Sequence, residues 1–400
     1  MKYDFTSIID RHGKDAIAVD GLVPGGHGPQ PPKEGFDIIP MWVADMNFPT
    51  VPTITQAIAQ RIQHPFFGYF STSDDYYNAI IHWQEQRNGV TGLTKECIGY
   101  ENGVLGGVIS ALNVLCSKGD NVLLHSPTYI GFTGCLTNNG YHIVHSPLVK
   151  DEAGIYRMDF ADMEKRIVEN NIHATVFCSP HNPCGRVWER WELEKAMELF
   201  QKHDVMVICD EIWSDIILEG HKHIPMQSIS EDARQRTVAL YAPSKTFNLA
   251  GLQASTVVFP DHHKKEVFDH FWQCMDIHRN NAFSLTAMEA AFNEGEEWLE
   301  QLLPYLSANF DYVVDYCEKH IPKIKTYAPD ATYLMWLDCR ELGMTNEELH
   351  DFMIQKAKLG LNDGCSFGRS LNGYMRLNAA CPRATLEKAM AQLEAAVNSL

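Results

Sequence analysis

Short apolar runs rich in β-branched residues punctuate the middle of the chain: NVLLHSP (121–127), ATVFCSP (174–180), DVMVICDE (204–211), TVALYAPSK (237–245) and STVVFP (255–260). Runs this short, and apolar at successive rather than alternate positions, predict strands covered on both faces, as in a mainly parallel sheet between helices. Between the second and third runs, WERWELEKAMELFQKH (188–203) repeats its apolar positions at helical spacing, which completes a strand–helix–strand unit. After residue 290 the texture changes. EEWLEQLLPYLSANFDYVVDYCEKHI predicts a long helix that Pro304 either kinks or opens, followed by a strand, TYLMWLD (332–338), and a closing helix, TLEKAMAQLEAAVNSL. The predicted architecture is α/β: a large domain over 51–290, and a smaller α+β domain over 291–400 completed by residues 1–50. The Gly- and Pro-rich segment GLVPGGHGPQPPKEG (21–35) predicts a surface loop or arm.

Composition narrows the class. Four hundred residues exceed what one core organises, and 45% hydrophobic with 21% charged residues describes a soluble globular chain with no apolar run long enough to span a membrane. The start, MKYDFTSIIDRHGK, lacks the apolar core of a signal peptide, so a cytoplasmic location is expected. Eleven cysteines, with no C-x-x-C pair, predict reduced and mostly buried thiols and no zinc site. A net charge of −18 without a basic block argues against a nucleic-acid partner. His221-Lys222-His223 has no nearby Cys, Asp or Glu that completes a metal-binding set and predicts a plain surface loop.

In a doubly wound sheet, ligands sit beyond the carboxyl ends of the strands. There the chain carries Ser179-Pro180-His181-Asn182-Pro183-Cys184-Gly185, then Asp210-Glu211-Ile212-Trp213, then Ala242-Pro243-Ser244-Lys245. A carboxylate, an amide, an amine and a hydroxyl delivered to one mouth are what pyridoxal 5′-phosphate (PLP) chemistry requires. Lys245 offers the amine that forms an imine with the cofactor aldehyde. Asp210 offers the carboxylate that keeps the pyridine nitrogen protonated, so that the ring can accept electrons. The Asn182 amide can donate to the phenolic oxygen. Asn102-Gly103-Val104-Leu105-Gly106-Gly107 opens an apolar stretch and suits the phosphate at a helix start, with Ser244 adding a hydroxyl. Each residue alone also has a bland reading: a cap for Asp210, a turn for Asn182, a solvated charge for Lys245. Their order at successive strand ends favours the joint one.

S-P-x-N-P-x-G, D-E-[IV]-[YW]-x-[DE] and P-S-K-x-F-N-x-x-G, with Arg376 in Met375-Arg376-Leu377-Asn378, resemble fold-type I PLP enzymes of the class I/II aminotransferase group. Ile39–Met46, Phe67-Gly68-Tyr69, Ser126–Tyr129, Tyr333–Asp338 and Arg376–Arg383 are similar to the cystathionine β-lyase and cysteine-S-conjugate β-lyase branch. The resemblance implies an aspartate-aminotransferase-like fold and a homodimer with shared active sites. It further implies that Tyr129 stacks on the pyridine ring, that Tyr69 reaches the partner's cofactor phosphate, and that Arg376 and Ala44 meet the substrate. As large aromatic residues, Tyr333 and Trp336 are read as small-domain core rather than ligand contacts. Two departures stand out. Gln253 occupies the place of the family's phosphate-binding arginine, and Trp213 replaces a tyrosine, so that it can donate a hydrogen bond but not accept one. The expected reaction is α,β-elimination from a cysteine conjugate; transamination shares its early steps, and a regulatory protein that merely retains PLP is the rival outside catalysis.

Overall fold

The computed structural model describes residues 2–26, 28–33, 38–275 and 281–400. Residues 27, 34 and 35 of the Gly/Pro-rich segment lie outside the described residues, and those on either side of them form turns and irregular chain. Two compact units are formed, one from residues 50–182 and 186–299, the other from 1–49, 183–185 and 300–400.

The larger unit is organised by a seven-stranded sheet. In chain order its strands are β1 (Ile98–Asn102), β2 (Asn121–Ser126), β3 (His142–Pro147), β4 (Ala174–Cys178), β5 (Met206–Asp210), β6 (Thr237–Tyr241) and β7 (Ala254–Val258), and they lie side by side as β1-β7-β6-β5-β4-β2-β3. Pairing is parallel from β3 through β6, while β7 runs antiparallel to both β6 and β1. The apolar runs become strands because burial is continuous: every residue of β4, β6 and β7 is buried. Val108, Ala111 and Leu112 of one covering helix join Val122, Leu124, Val176, Ile208, Val238 and Leu240 in one core. Each such aliphatic side chain contributes about 1.5–3 kcal/mol by leaving water.

Four helices of this unit matter for the site: α1 (Asp74–Trp83), α2 (Val104–Leu115), α3 (Arg190–Lys202) and the short α4 (Pro243–Thr246). The Glu189 and Glu192 side chains form a reciprocal capping box that starts α3 two residues inside the expected span. Trp188 stays outside the helix because its indole N–H donates to the Cys178 carbonyl (3.0 Å).

The long helix α5 (Glu296–His320) contains Pro304 well within it, so the proline does not mark its start. The division between units falls inside α5, past the change of texture at residue 290. Trp298, at its beginning, packs on Phe247 in the larger unit (6.0 Å between rings). The smaller unit holds a four-stranded sheet of β8 (Lys325–Thr326), β9 (Leu334–Asp338), β10 (Asn362–Asp363) and β11 (Tyr374–Asn378) in the order β8-β9-β11-β10, and ends on α6 (Arg383–Val397). Tyr333 is fully buried there, and Trp336 meets Phe367 edge-on (5.6 Å).

Candidate active site

The ladder of the large sheet brings the three motif loops to one level. Cys178 pairs with Asp210 and Asp210 with Leu240, so β4, β5 and β6 end together. Their loops are tied across the edge: Ser179 N–H donates to the Asp210 carbonyl (2.9 Å) and Glu211 N–H to the Leu240 carbonyl (3.0 Å). Asn182, 4% exposed, is held by its own N–H against the Cys178 sulfur (3.5 Å).

Asp210, also 4% exposed, accepts the Ile212 N–H on Oδ1 (3.0 Å). Burial pushes its carboxyl up to about 7, against the opposing pull of that N–H and of the Lys245 charge. Lys245 lies in α4, the single turn after β6, which Pro243 opens. Its Nζ stands 5.7 Å from the centre of the Trp213 ring, and Trp213 is 2% exposed. Ser244 precedes it, half-buried.

At the start of α2, Gly103 takes φ +81°, and no side chain caps the helix, so the first N–H groups of a twelve-residue helix are presented by backbone alone. Gln253, itself left-handed at φ 56°, places its Oε1 3.4 Å from where a Cβ on Gly103 would stand. The substitution for arginine therefore lies beside the helix start. Tyr129 caps the next helix, half-buried and edge-on to Phe132 (5.4 Å). Its ring leans over Gly131, where a Cβ would come within 2.4 Å of it.

These features fit PLP. A buried carboxyl held near neutrality suits a cationic ring nitrogen, an uncapped helix start suits a phosphate, and an amine stands near that carboxyl.

Tyr69 is placed apart from this cluster. It is wholly exposed and lines a cavity of about 1290 Å³ with Phe67, Tyr77, Tyr100 and Trp272, a lining that includes neither Asp210 nor Lys245. In the smaller unit, Arg376 on β11 donates to the Trp42 carbonyl (3.2 Å) and Asn362 Oδ1 (2.6 Å), with the Phe367 ring 4.4 Å from its guanidinium carbon. The Ala44 carbonyl accepts the Tyr333 hydroxyl (2.9 Å), and Asn378 Nδ2 donates to the Val43 and Asp45 carbonyls on either side (2.7 and 2.6 Å).

One expectation is corrected. His221 and Lys222 are exposed, but His223 is buried with Nε2 3.3 Å from Glu211 Oε2, so the segment is not a plain surface loop. The acid partner lies ten or more residues upstream, next to Asp210, where local spacing does not show it. Among the described residues no group of three or more His, Cys, Asp or Glu is arranged to hold a metal. Two buried acids escaped the sequence reading. Glu101 on β1 accepts the Trp272 indole N–H (3.0 Å) and is pushed up to about 7 by burial. Asp215 accepts the Thr246 hydroxyl (2.8 Å). It closes the D-E-[IV]-[YW]-x-[DE] pattern, which was its only signal.

Residues 37–393 match the family aminotransferase class I and II, and the chain belongs to that family. It is 39% identical to cystathionine beta-lyase PatB of Bacillus subtilis (strain 168) over 362 residues, 90% of this chain and 93% of PatB. Protein MalY of Escherichia coli (strain K12) is 30% identical over the full length of both chains. The crystal structure of cystalysin from Treponema denticola, which contains a pyridoxal 5′-phosphate cofactor, covers all of both chains with a TM-score of 0.93 at 30% identity.

Proposed function

We propose that this chain is a PLP-dependent carbon–sulfur β-lyase that cleaves L-cystathionine or another cysteine S-conjugate to a thiol, pyruvate and ammonia. The observation that carries the reading is the delivery of Asn182, Asp210 and Lys245 from three adjacent parallel strands, in a chain 39% identical to a cystathionine beta-lyase.

Bound at this mouth, PLP supplies an electron sink that makes the substrate's Cα proton removable. Lys245 would tether the cofactor and, with its amine free, would take that proton. Asp210 would be the partner of the pyridine nitrogen, its buried charge holding the ring proton. Asn182 would donate to the phenolic oxygen, Tyr129 would hold the ring by stacking, and Trp213 walls the side over which the Lys245 amine lies. Gly103, Val104 and Leu105 offer N–H groups to the phosphate, joined by the Ser244 hydroxyl and by Tyr69 of a second subunit. Arg376 pairs with the substrate carboxylate beside Ala44. The electron pair left at Cα forms the Cα–Cβ double bond as the C–S pair departs with the thiolate, and water completes hydrolysis to pyruvate and ammonia.

The dimer is supported by the exposed aromatics Phe66, Phe67 and Tyr69, and a reducing cytoplasm by eleven cysteines, none of them in a disulfide. The test is product analysis. Pyruvate and free thiol are expected from cystathionine or an S-alkyl cysteine with no 2-oxo acid added. Turnover that requires such an acceptor makes the chain an aminotransferase instead.

A further inference from the structure

Asp215 is 5% exposed, and donors from two distant segments converge on its carboxylate. The Thr246 hydroxyl donates to Oδ2 (2.8 Å), and the Trp83 indole N–H, from the end of α1, is shared between both oxygens (3.2 Å to each). Asn88 Nδ2, from the turn that follows α1, approaches Oδ1 (3.5 Å), and the Arg87 guanidinium lies 3.9 Å from the same oxygen. A buried carboxylate needs such partners to persist, and a carboxylate satisfied from several directions has little freedom to move.

One of these partners is the residue that follows Lys245, and that side of the turn is clamped a second time. The Phe247 carbonyl accepts the Thr50 hydroxyl (2.6 Å), and the Phe247 ring packs against Trp83 (5.6 Å) and Trp298 (6.0 Å). A four-residue helix such as α4 has no stability of its own, so its placement comes from these external ties. The proposed chemistry makes a conflicting demand there. The Lys245 amine must leave the cofactor, move to the Cα proton and return, while its own Cα stays fixed.

We propose that Asp215 is the positioning residue for Lys245: through the Thr246 hydroxyl it pins the backbone of α4 to the loop that follows Asp210, so that only the lysine side chain moves. The inference rests on the functional reading above. Asp210 and Asp215 lie on one short loop, which thus meets the cofactor ring with the first acid and the cofactor's lysine with the second.

The test compares holoenzymes of Thr246→Val and Trp83→Phe, each removing one donor to the same carboxylate, with Thr246→Ser, which keeps the hydroxyl. Removing the hydroxyl next to the lysine is expected to lower kcat roughly 10- to 100-fold with KM within about twofold of wild type. The visible circular dichroism of bound PLP should change as well, and Thr246→Ser should restore both. Trp83→Phe keeps the ring packing and the Thr246 link. It should lower the unfolding temperature while leaving kcat and the dichroism near wild type. If Thr246→Val does not fold, Thr246→Ala is read in the same way. Thr246→Val matching wild type in kcat and dichroism, or Trp83→Phe moving them as far, overturns the inference and leaves Asp215 as packing. A wild-type chain that takes up no PLP overturns the functional reading and this inference with it, whereas normal uptake beside an unaffected Thr246→Val overturns the positioning alone.

Discussion

Replacing Asp210 by asparagine should stabilise the cofactor-free chain while disabling the loaded one. The carboxyl has an ordinary value of 3.8 and stands near 7 in the folded chain, chiefly because it is buried. Between those values the folded state keeps a proton that the unfolded state gives up. Its contribution to stability is therefore fully present below pH 3.8 and is lost as pH rises through 7. The slope is about 1.4 kcal/mol per pH unit and the whole loss about 4 kcal/mol. Asparagine does not titrate, but its amide needs an acceptor, which offsets about 1 kcal/mol. Urea unfolding of the two cofactor-free chains should nearly coincide at pH 4 and diverge to about 3 kcal/mol in favour of Asp210→Asn at pH 8. Titrating groups not coupled to Asp210 are common to both chains and cancel. With PLP bound the order reverses in function, since the variant cannot hold the ring proton and loses most of its turnover. Coincident unfolding curves at pH 8 would refute the reasoning, because Asp210 would then not be a buried charge awaiting a cation.

Three further outcomes follow from the same geometry. The purified protein should absorb near ~420 nm, and borohydride should bleach it with the label on Lys245, as checked by peptide mass spectrometry; a label elsewhere removes the lysine assignment. Arg376→Ala should lower kcat/KM for cystathionine about 100-fold, mainly through KM, since a paired carboxylate loses its charge-assisted bonds; unchanged kinetics would return Arg376 to a structural role. Mixing inactive Tyr69→Ala and Lys245→Ala chains should recover part of the activity if sites are shared between subunits, and verified exchange without recovery would place Tyr69 outside the partner's site.

The five strands were legible because each is a short, mostly buried apolar run, and α3 because its apolar positions recur at helical spacing. Strand β1 was harder, since IGYEN carries a glycine, an acid and an asparagine in five residues and reads as a turn until β7 pairs with it. The loop residues Asn182, Asp210 and Lys245 could be read because chemistry restricts which residue types stand at strand ends. Trp213 was half-legible: its identity limits it to donating, but its burial beneath the Lys245 amine is a tertiary fact. Asp215, Glu101 and the Glu211–His223 pair stayed hidden because their partners come from distant segments, Trp83 and Thr246 in the first case, Trp272 in the second. A sequence shows that an acid is present but not which donors will surround it.

The ladder that aligns Cys178, Asp210 and Leu240 also decides which kinds of inherited change this protein can survive. A substitution in β4, β5 or β6 alters one side chain and leaves the level of the loops intact. Losing a single residue within β5 is different in kind, because side chains alternate faces and the whole strand would slip by one. Glu211 would then stand where Asp210 stands, and the Asp210 side chain would turn to the opposite face of the sheet. Spelling in these strands is therefore free to drift within the limits of packing, whereas their length is not, and a single in-frame codon deletion there should silence the enzyme more surely than most exchanges of one residue for another.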